Sequence, residues 1–288
     1  MIISASRRTD IPNYYSKWFY NRIEEEVVYV RNPMNHKQTS KIDLSPDIVD
    51  CIVFWTKNPR NMISGLEKLN NYKYYFQFSL NGYGYDIEPY IPDKKKVLIP
   101  IFRELSELIG SGSVIWRYDP ILLNNKYTIQ YHIETFKYIA KQLKGYSHRV
   151  VISFIDFYPK IKSNIHKLSI SPLNMEDMYI LAEFLSDIAK EYGFTIQTCS
   201  EAIDLKNVNI EHGCCIDKNV IEDIIGCKIS CKKDKSQRLE CGCIESIDIG
   251  TYDTCKNGCI YCYANSSDIK VKNTIRKYIQ CTNVHGKK

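Results

Sequence analysis

Six short runs rich in β-branched and aromatic residues, separated by amphipathic stretches, constrain the first 200 residues most tightly. They are Ile2–Ser6, Cys51–Trp55, Tyr74–Leu80, Val114–Tyr118, Val150–Asp156 and Thr195–Cys199. Each is short and apolar enough to be a buried strand. Between them, Ile129, Ile133, Phe136, Ala140 and Leu143 recur at helical spacing, as do Met178, Leu181, Leu185, Ile188 and Tyr192. Asn174, with Asp177 three residues on, opens the second of these as a loose capping box. Strand–helix alternation of this kind predicts an α/β fold with a parallel sheet and helices outside it. Val27–Arg31 and Thr39–Leu44 read as an inserted hairpin.

The strand ends point to a TIM-like (β/α) barrel, partial or closed, rather than an open doubly wound sheet. Ser6-Arg7-Arg8-Thr9-Asp10 follows the first run and Thr56-Lys57-Asn58 the second. Gln77 and Ser79 lie within the third, Arg117 and Asp119 end the fourth, Ser153 and Asp156 the fifth, and Gln197, Ser200 and Glu201 the sixth. A barrel brings all such ends to one face, where barrel enzymes place their active sites. An open sheet gathers only those beside its switch point.

Nine of the twelve cysteines lie between Cys214 and Cys262; Cys51, Cys199 and Cys281 fall elsewhere. Clustering in one segment of a chain without a signal-peptide layout argues for metal rather than a disulfide scaffold. Cys255, Cys259 and Cys262 stand with three and then two residues between them. Three thiolates on one loop can bind three irons of a [4Fe–4S] cubane and leave the fourth open to S-adenosylmethionine. One electron would then cleave the sulfonium bond to give a 5′-deoxyadenosyl radical, the cofactor carrying that chemistry. The competing reading is a structural zinc site, for which Cys259 and Cys262 have the common spacing. A second group, Cys214, Cys215, Cys241 and Cys243, suits an auxiliary [4Fe–4S] cluster or zinc, with Cys227 and Cys231 as weaker members.

The three-cysteine loop with Tyr261 before its last cysteine resembles the radical S-adenosylmethionine superfamily. More narrowly, IISASRRTDIP (residues 2–12), VFWTKNP (53–59), WRYDPI (116–121) and the run from Lys233 to Ala264 resemble the DUF1848 family. In the superfamily the cluster loop follows the first barrel strand. Here it lies near residue 260, which implies a circularly permuted barrel with Ser246–Tyr252 as the displaced strand beside Ile2–Ser6. The resemblance then makes Ser4, Ser6, Thr9 and especially Asp10 candidates for the methionine amino group. Arg7 or Arg8 would hold its carboxylate.

Arg117 could bind a carboxylate and Asp119 a ribose hydroxyl, or the two could close the barrel mouth as a salt bridge. Lys57 and Asn58 are either ligands or parts of the turn at Pro59. Asp156 and Glu201 orient substrate or cap loops. Tyr252, Tyr261 and Tyr263 shield the cluster loop. His36, His132, His148, His166, His212 and His285 show no ligand spacing and read as surface or loop residues.

These readings divide the chain into a barrel body (1–205) with the insertion near 27–44, a cysteine-rich segment (206–245), and a last strand, cluster loop and C-terminal helix (246–288). No run approaches 18 apolar residues, so no membrane span and a cytoplasmic location are expected. The net charge of +6 and 22 tyrosines suit an anionic small molecule or a nucleic acid equally. The function expected is a radical S-adenosylmethionine enzyme fed by a reductant such as ferredoxin or flavodoxin. Its rivals are a zinc-stapled hydrolase or nuclease and an iron–sulfur electron carrier or redox sensor. No residue is singled out as catalytic.

Overall fold

The strands are apolar on both faces because both faces are covered. The computed structural model describes residues 1–35 and 37–285, and of residues 163, 167 and 278–285 the backbone alone. Its strands are β1 (Ile2–Ala5), β2 (Val27–Arg31), β3 (Thr39–Asp43), β4 (Cys51–Thr56), β5 (Tyr74–Ser79), β6 (Val114–Ile121), β7 (Arg149–Phe154), β8 (Thr195–Cys199), β9 (Glu211–Gly213) and β10 (Ile247–Asp248). Eight form one sheet in the order β10-β1-β4-β5-β6-β7-β8-β9, with every neighbouring pair parallel. The other two, β2 and β3, make the antiparallel hairpin expected from the sequence.

The helices are α1 (Ile11–Tyr14), α2 (Ser16–Glu24), α3 (Arg60–Ile63), α4 (Ile99–Ile109), α5 (Ile129–Leu143), α6 (Lys162–Lys167), α7 (Met175–Tyr192), α8 (Lys218–Ile225) and α9 (Asp268–His285). As expected, Asn174 caps α7 by accepting from Asp177 N at 2.7 Å. No helix among the described residues is long and apolar enough to cross a membrane.

Strand side chains alternate between faces, and the two faces meet different partners. Phe54, Phe76, Phe78, Trp116 and Ile152 pack on Phe102 of α4, Phe136 of α5 and Leu181 and Leu185 of α7. Trp116 stacks on Phe136 at 4.7 Å between ring centroids. The opposite set, Ile2, Val53, Tyr75, Ile115 and Val151, is covered by Ile216, Val220, Ile221 and Ile244 from the segment between β9 and β10. On this second face the residues further along the strands turn polar, as at Ser4, Gln77, Arg117 and Cys199. The apolar plug therefore fills the face near the strand beginnings, and polar chemistry collects at the C-terminal ends.

The observed architecture is α/β with a parallel eight-stranded sheet. The barrel expected from the strand ends is not reached at the level of hydrogen bonding, since β10 and β9 each pair with one neighbour. The strand expected over Ser246–Tyr252 shortens to Ile247–Asp248 and pairs with β1 through Ile3–Ile247 and Ser4–Asp248.

One expectation is corrected outright: His132 is fully buried in α5. The inward face of this helix runs through His132, Phe136, Ile139, Ala140 and Leu143, rotated from the face expected through Ile129 and Ile133, which are only partly buried. Burial lowers the imidazole to about 4, against the pull of its bond to the Leu122 carbonyl. It sits 2.8 Å from Tyr118 Oη and 2.9 Å from Leu122 O, so the uncharged ring has a partner on each nitrogen. His148, His166 and His212 are exposed. His36 and the side chain of His285 lie outside the described residues.

Candidate cofactor site at the strand ends

A cavity of about 750 Å³ opens where the strands of the sheet end. Ser6, Arg7, Arg8, Thr9 and Asp10 follow β1 into it, Lys57 follows β4, and Arg117 and Asp119 come from β6. Cys255, Cys259, Tyr261 and Cys262 enter from the loop after β10, and Cys215, Cys241 and Cys243 from the plug segment. Residues from both ends of the sequence thus share one wall.

Two carboxylates, one half-buried and one buried, make that junction. Asp248 accepts from Ser4 Oγ (3.0 Å), Ser6 Oγ (2.5 Å), Arg7 N (2.9 Å) and Gly250 N (3.0 Å), fastening β1 to β10. Asp10 caps α1 by accepting from Asn13 N at 3.0 Å, and also accepts from Thr56 Oγ1, Lys57 N and Asn257 Nδ2 at 2.7, 2.9 and 3.0 Å. It ties the first loop to β4 and to the cysteine loop. Burial raises its carboxyl while these four donors oppose the rise. With them in place, Asp10 acts as a bracket for the surrounding backbone.

The cysteine loop is held from several sides. Tyr14 Oη donates to Asn257 Oδ1 at 2.9 Å, Tyr15 Oη to Thr254 O at 2.6 Å, and Ile260 N to Ile87 O at 3.0 Å. Gly258 turns the chain at φ +67° between Cys255 and Cys259, in the left-handed region glycine adopts without strain. Burial pushes the thiols up, Cys255 to about 12 and Cys259 and Cys262 likewise upward, with Lys57 opposing at the last two. Such thiols are weak nucleophiles on their own, and a bound metal is what would draw off their protons.

Lys57 is 2.8 Å from Glu88 Oε1, and Lys94 is 2.8 Å from Glu88 Oε2. Tyr261 Oη donates to the same carboxylate. Burial alone would raise the Glu88 carboxyl, but Lys57 and Lys94 hold it at about 2. Lys57 also lies 5.5 Å from the Tyr261 ring centre, so lysine, glutamate and tyrosine form one charged post beside Cys259.

Arg117 bonds Asp119 through Nε at 3.0 Å and Nη2 at 2.5 Å, the salt bridge that the sequence allowed. Its Nη1 lies 3.0 Å from Cys215 Sγ, which is 2.8 Å from Cys199 Sγ. Bonds from the Cys199 and Cys243 thiols hold Cys215 well below an ordinary thiol, and Arg117 and Arg7 add to this against burial. Cys214 faces elsewhere: its sulfur lies 2.7 Å from where a Cβ on Gly242 would stand, and it does not line the cavity. Cys227 is exposed and Cys231 half-buried. As they stand, no three His, Cys, Asp or Glu side chains among the described residues are grouped so as to hold a metal ion.

Arg8 donates to Gly250 O at 3.2 Å and lies over the Tyr252 ring. Arg7 lies over Trp55. Its Nη2 and the Thr9 hydroxyl are buried and find no hydrogen-bond partner among the described residues. Asp156 pairs with Arg238 at 2.7 Å, and Glu201 accepts from Phe154 N at 2.8 Å. Glu88, Asp248 and Cys199 were not singled out in the sequence. The first two contact residues far along the chain, and Cys199 is alone in its segment.

Three soft donors on one loop line the same cavity as an orphaned guanidinium and hydroxyl, and the chemistry of that donor set would suit a thiolate-bound cluster and an anionic, hydrogen-bonding ligand. No curated protein sequence matches the chain. Among solved structures, a protein from Bacteroides thetaiotaomicron VPI-5482, provisionally assigned as an alpha-L-fucosidase, aligns over 96% of this chain and 94% of its own at 12% identity. Its TM-score of 0.29 carries no argument about fold or activity. The family model described as a domain of unknown function, DUF1848, matches residues 2–264, so the chain belongs to the DUF1848 family.

Proposed function

We propose that the chain is a radical S-adenosylmethionine enzyme whose [4Fe–4S] cluster is held by Cys255, Cys259 and Cys262. The observation that carries this reading is one cavity joining those cysteines to the unsatisfied Nη2 of Arg7 and hydroxyl of Thr9. When bound, the cluster and S-adenosylmethionine would together supply a reductively generated 5′-deoxyadenosyl radical. On this reading Arg7 binds the carboxylate of S-adenosylmethionine, a charge-assisted contact in a dry setting. Thr9 offers its hydroxyl to the amino or carboxylate group. Asp10 and Asn257 keep the β1 loop and the cysteine loop in fixed register. The Lys57–Glu88–Tyr261 post excludes water beside Cys259 and places a positive charge near its thiolate. The parallel sheet is then an incompletely closed, permuted (β/α) barrel, with β10 in the place of a first strand.

The test uses anaerobically reconstituted protein with dithionite and S-adenosylmethionine. Wild type should form 5′-deoxyadenosine, and Cys259→Ala should lose it by at least a hundredfold. Zinc without iron, or a cluster that never yields 5′-deoxyadenosine, would overturn the proposal.

A further inference from the structure

We propose that Cys199, Cys215, Cys241 and Cys243 hold a second iron–sulfur cluster in the same cavity, with Cys214 outside the ligand set. The four come from three separate segments: the end of β8, the loop after β9 and the loop before β10. Nothing in their spacing along the chain unites them; the fold does. All four line the cavity, whereas Cys214 packs against Gly242 away from it. Cys199 Sγ and Cys215 Sγ stand 2.8 Å apart, and Cys243 is close enough to act on both Cys215 and Cys241.

Charge supports an anionic group here. Four thiolates around a cubane leave net negative charge, which costs heavily in a buried place unless cations adjoin it. Arg117 Nη1 stands 3.0 Å from Cys215 Sγ, and the positive charge of Arg7 acts on both Cys215 and Cys243. Asp119 offsets part of the Arg117 charge, while Arg7 Nη2 has no hydrogen-bond partner among the described residues. A bound cluster would take its direct contact from Arg117 and feel the nearby charge of Arg7, whose Nη2 is left for the S-adenosylmethionine carboxylate.

Alternatives fit less well. A disulfide joins sulfurs at about 2.05 Å, so Cys199 and Cys215 stand as separate thiols. Zinc with Zn–S bonds of about 2.3 Å in a tetrahedron sets its sulfurs about 3.8 Å apart. Either metal requires Cys199 and Cys215 to turn away from each other into the open cavity, further for a cubane than for zinc, with loss of the thiol protons as it binds; the separation therefore does not choose between them, and the setting of the site does. Structural zinc sites are closed knots that hold a segment down. This segment is already fastened on the sheet by Ile216, Val220, Ile221 and Ile244, and its sulfurs face a cavity rather than a closed interior.

The test is independent of the first cluster. The full chain carrying Cys255→Ala, Cys259→Ala and Cys262→Ala is reconstituted anaerobically with iron and sulfide, and both are counted per chain alongside electron paramagnetic resonance after reduction. It should retain about half of the wild-type iron and sulfide. Adding Cys199→Ser and Cys243→Ser should remove that remainder, while Cys214→Ser in their place should not. Absence of iron from the folded triple variant, zinc in place of iron, or loss on Cys214→Ser but not on Cys199→Ser would each overturn the proposal. If the triple variant does not fold, wild type decides. Two distinguishable cluster signals support the second site, and one signal with half the expected iron overturns it. Failure to form 5′-deoxyadenosine in wild type would bear on the first loop alone.

Discussion

Single carboxylates decide much of the local chemistry here, and each is set by what surrounds it. Glu88 stays ionised down to about pH 2 because two lysines answer its charge. Glu201 has no such partner. Burial lifts it from 4.5 to about 7, with Asp156 and Asp119 adding to the rise and the bond from Phe154 N opposing it. As pH climbs from about 4.5 to 7, the unfolded chain gives up this proton before the folded one does. The folded state therefore binds more protons in that window, and its stability falls with rising pH. Glu201→Gln keeps an acceptor for Phe154 N and removes the titration. Denaturant unfolding at pH 5 and pH 8 should show a smaller loss toward alkaline pH in the variant than in wild type; an unchanged difference would contradict the assignment.

At the scale of elements, the shortest joint in the sheet is reinforced by side-chain bonds. The pairing of β10 with β1 spans two residues, Ile247 and Asp248. Side-chain bonds to Asp248 and the close approach of Gly250 reinforce it. A Cβ on Gly250 would stand 2.1 Å from Ser6 Oγ and 2.5 Å from Ser6 Cβ. Because Asp248 holds Ser6, that side chain cannot yield freely. Gly250→Ala should cost about 2 kcal/mol of stability through such overpacking, read as a lowered denaturation midpoint, and should also weaken iron retention by the loop that follows. A variant as stable as wild type would refute the close-approach argument.

The same joint marks where sequence reading succeeds and stops. Thr195–Cys199 and Val27–Arg31 were legible to the residue, since β-branched runs bounded by polar residues have few other uses. One strand escaped it: β9 consists of Glu211, His212 and Gly213. β10 was expected through the family resemblance over Ser246–Tyr252, but it covers only Ile247–Asp248, too short for a period to register. The spacing of Cys255, Cys259 and Cys262 stands out in the sequence, and the structure brings all three to one cavity. Cys199 gave no such signal, because its contact Cys215 follows 16 positions later on another element. His132 was misplaced because rotating an amphipathic helix by one position exchanges an isoleucine for a histidine on the buried face.

For the whole molecule, the plug segment divides the second face of the sheet into an apolar floor and a polar chamber. That chamber gathers the loop after β1, the end of β6, the cysteine loop and four further cysteines, so the first and last parts of the chain complete one site. The proposed function requires that this chamber let S-adenosylmethionine reach a cluster on Cys255, Cys259 and Cys262. The most direct measurement is electron paramagnetic resonance of the anaerobically reconstituted, dithionite-reduced chain, with and without S-adenosylmethionine. The expected result is a [4Fe–4S] signal whose shape changes on adding S-adenosylmethionine in wild type and not in Cys259→Ala. A signal indifferent to S-adenosylmethionine in wild type, or no iron–sulfur signal at all, would contradict it.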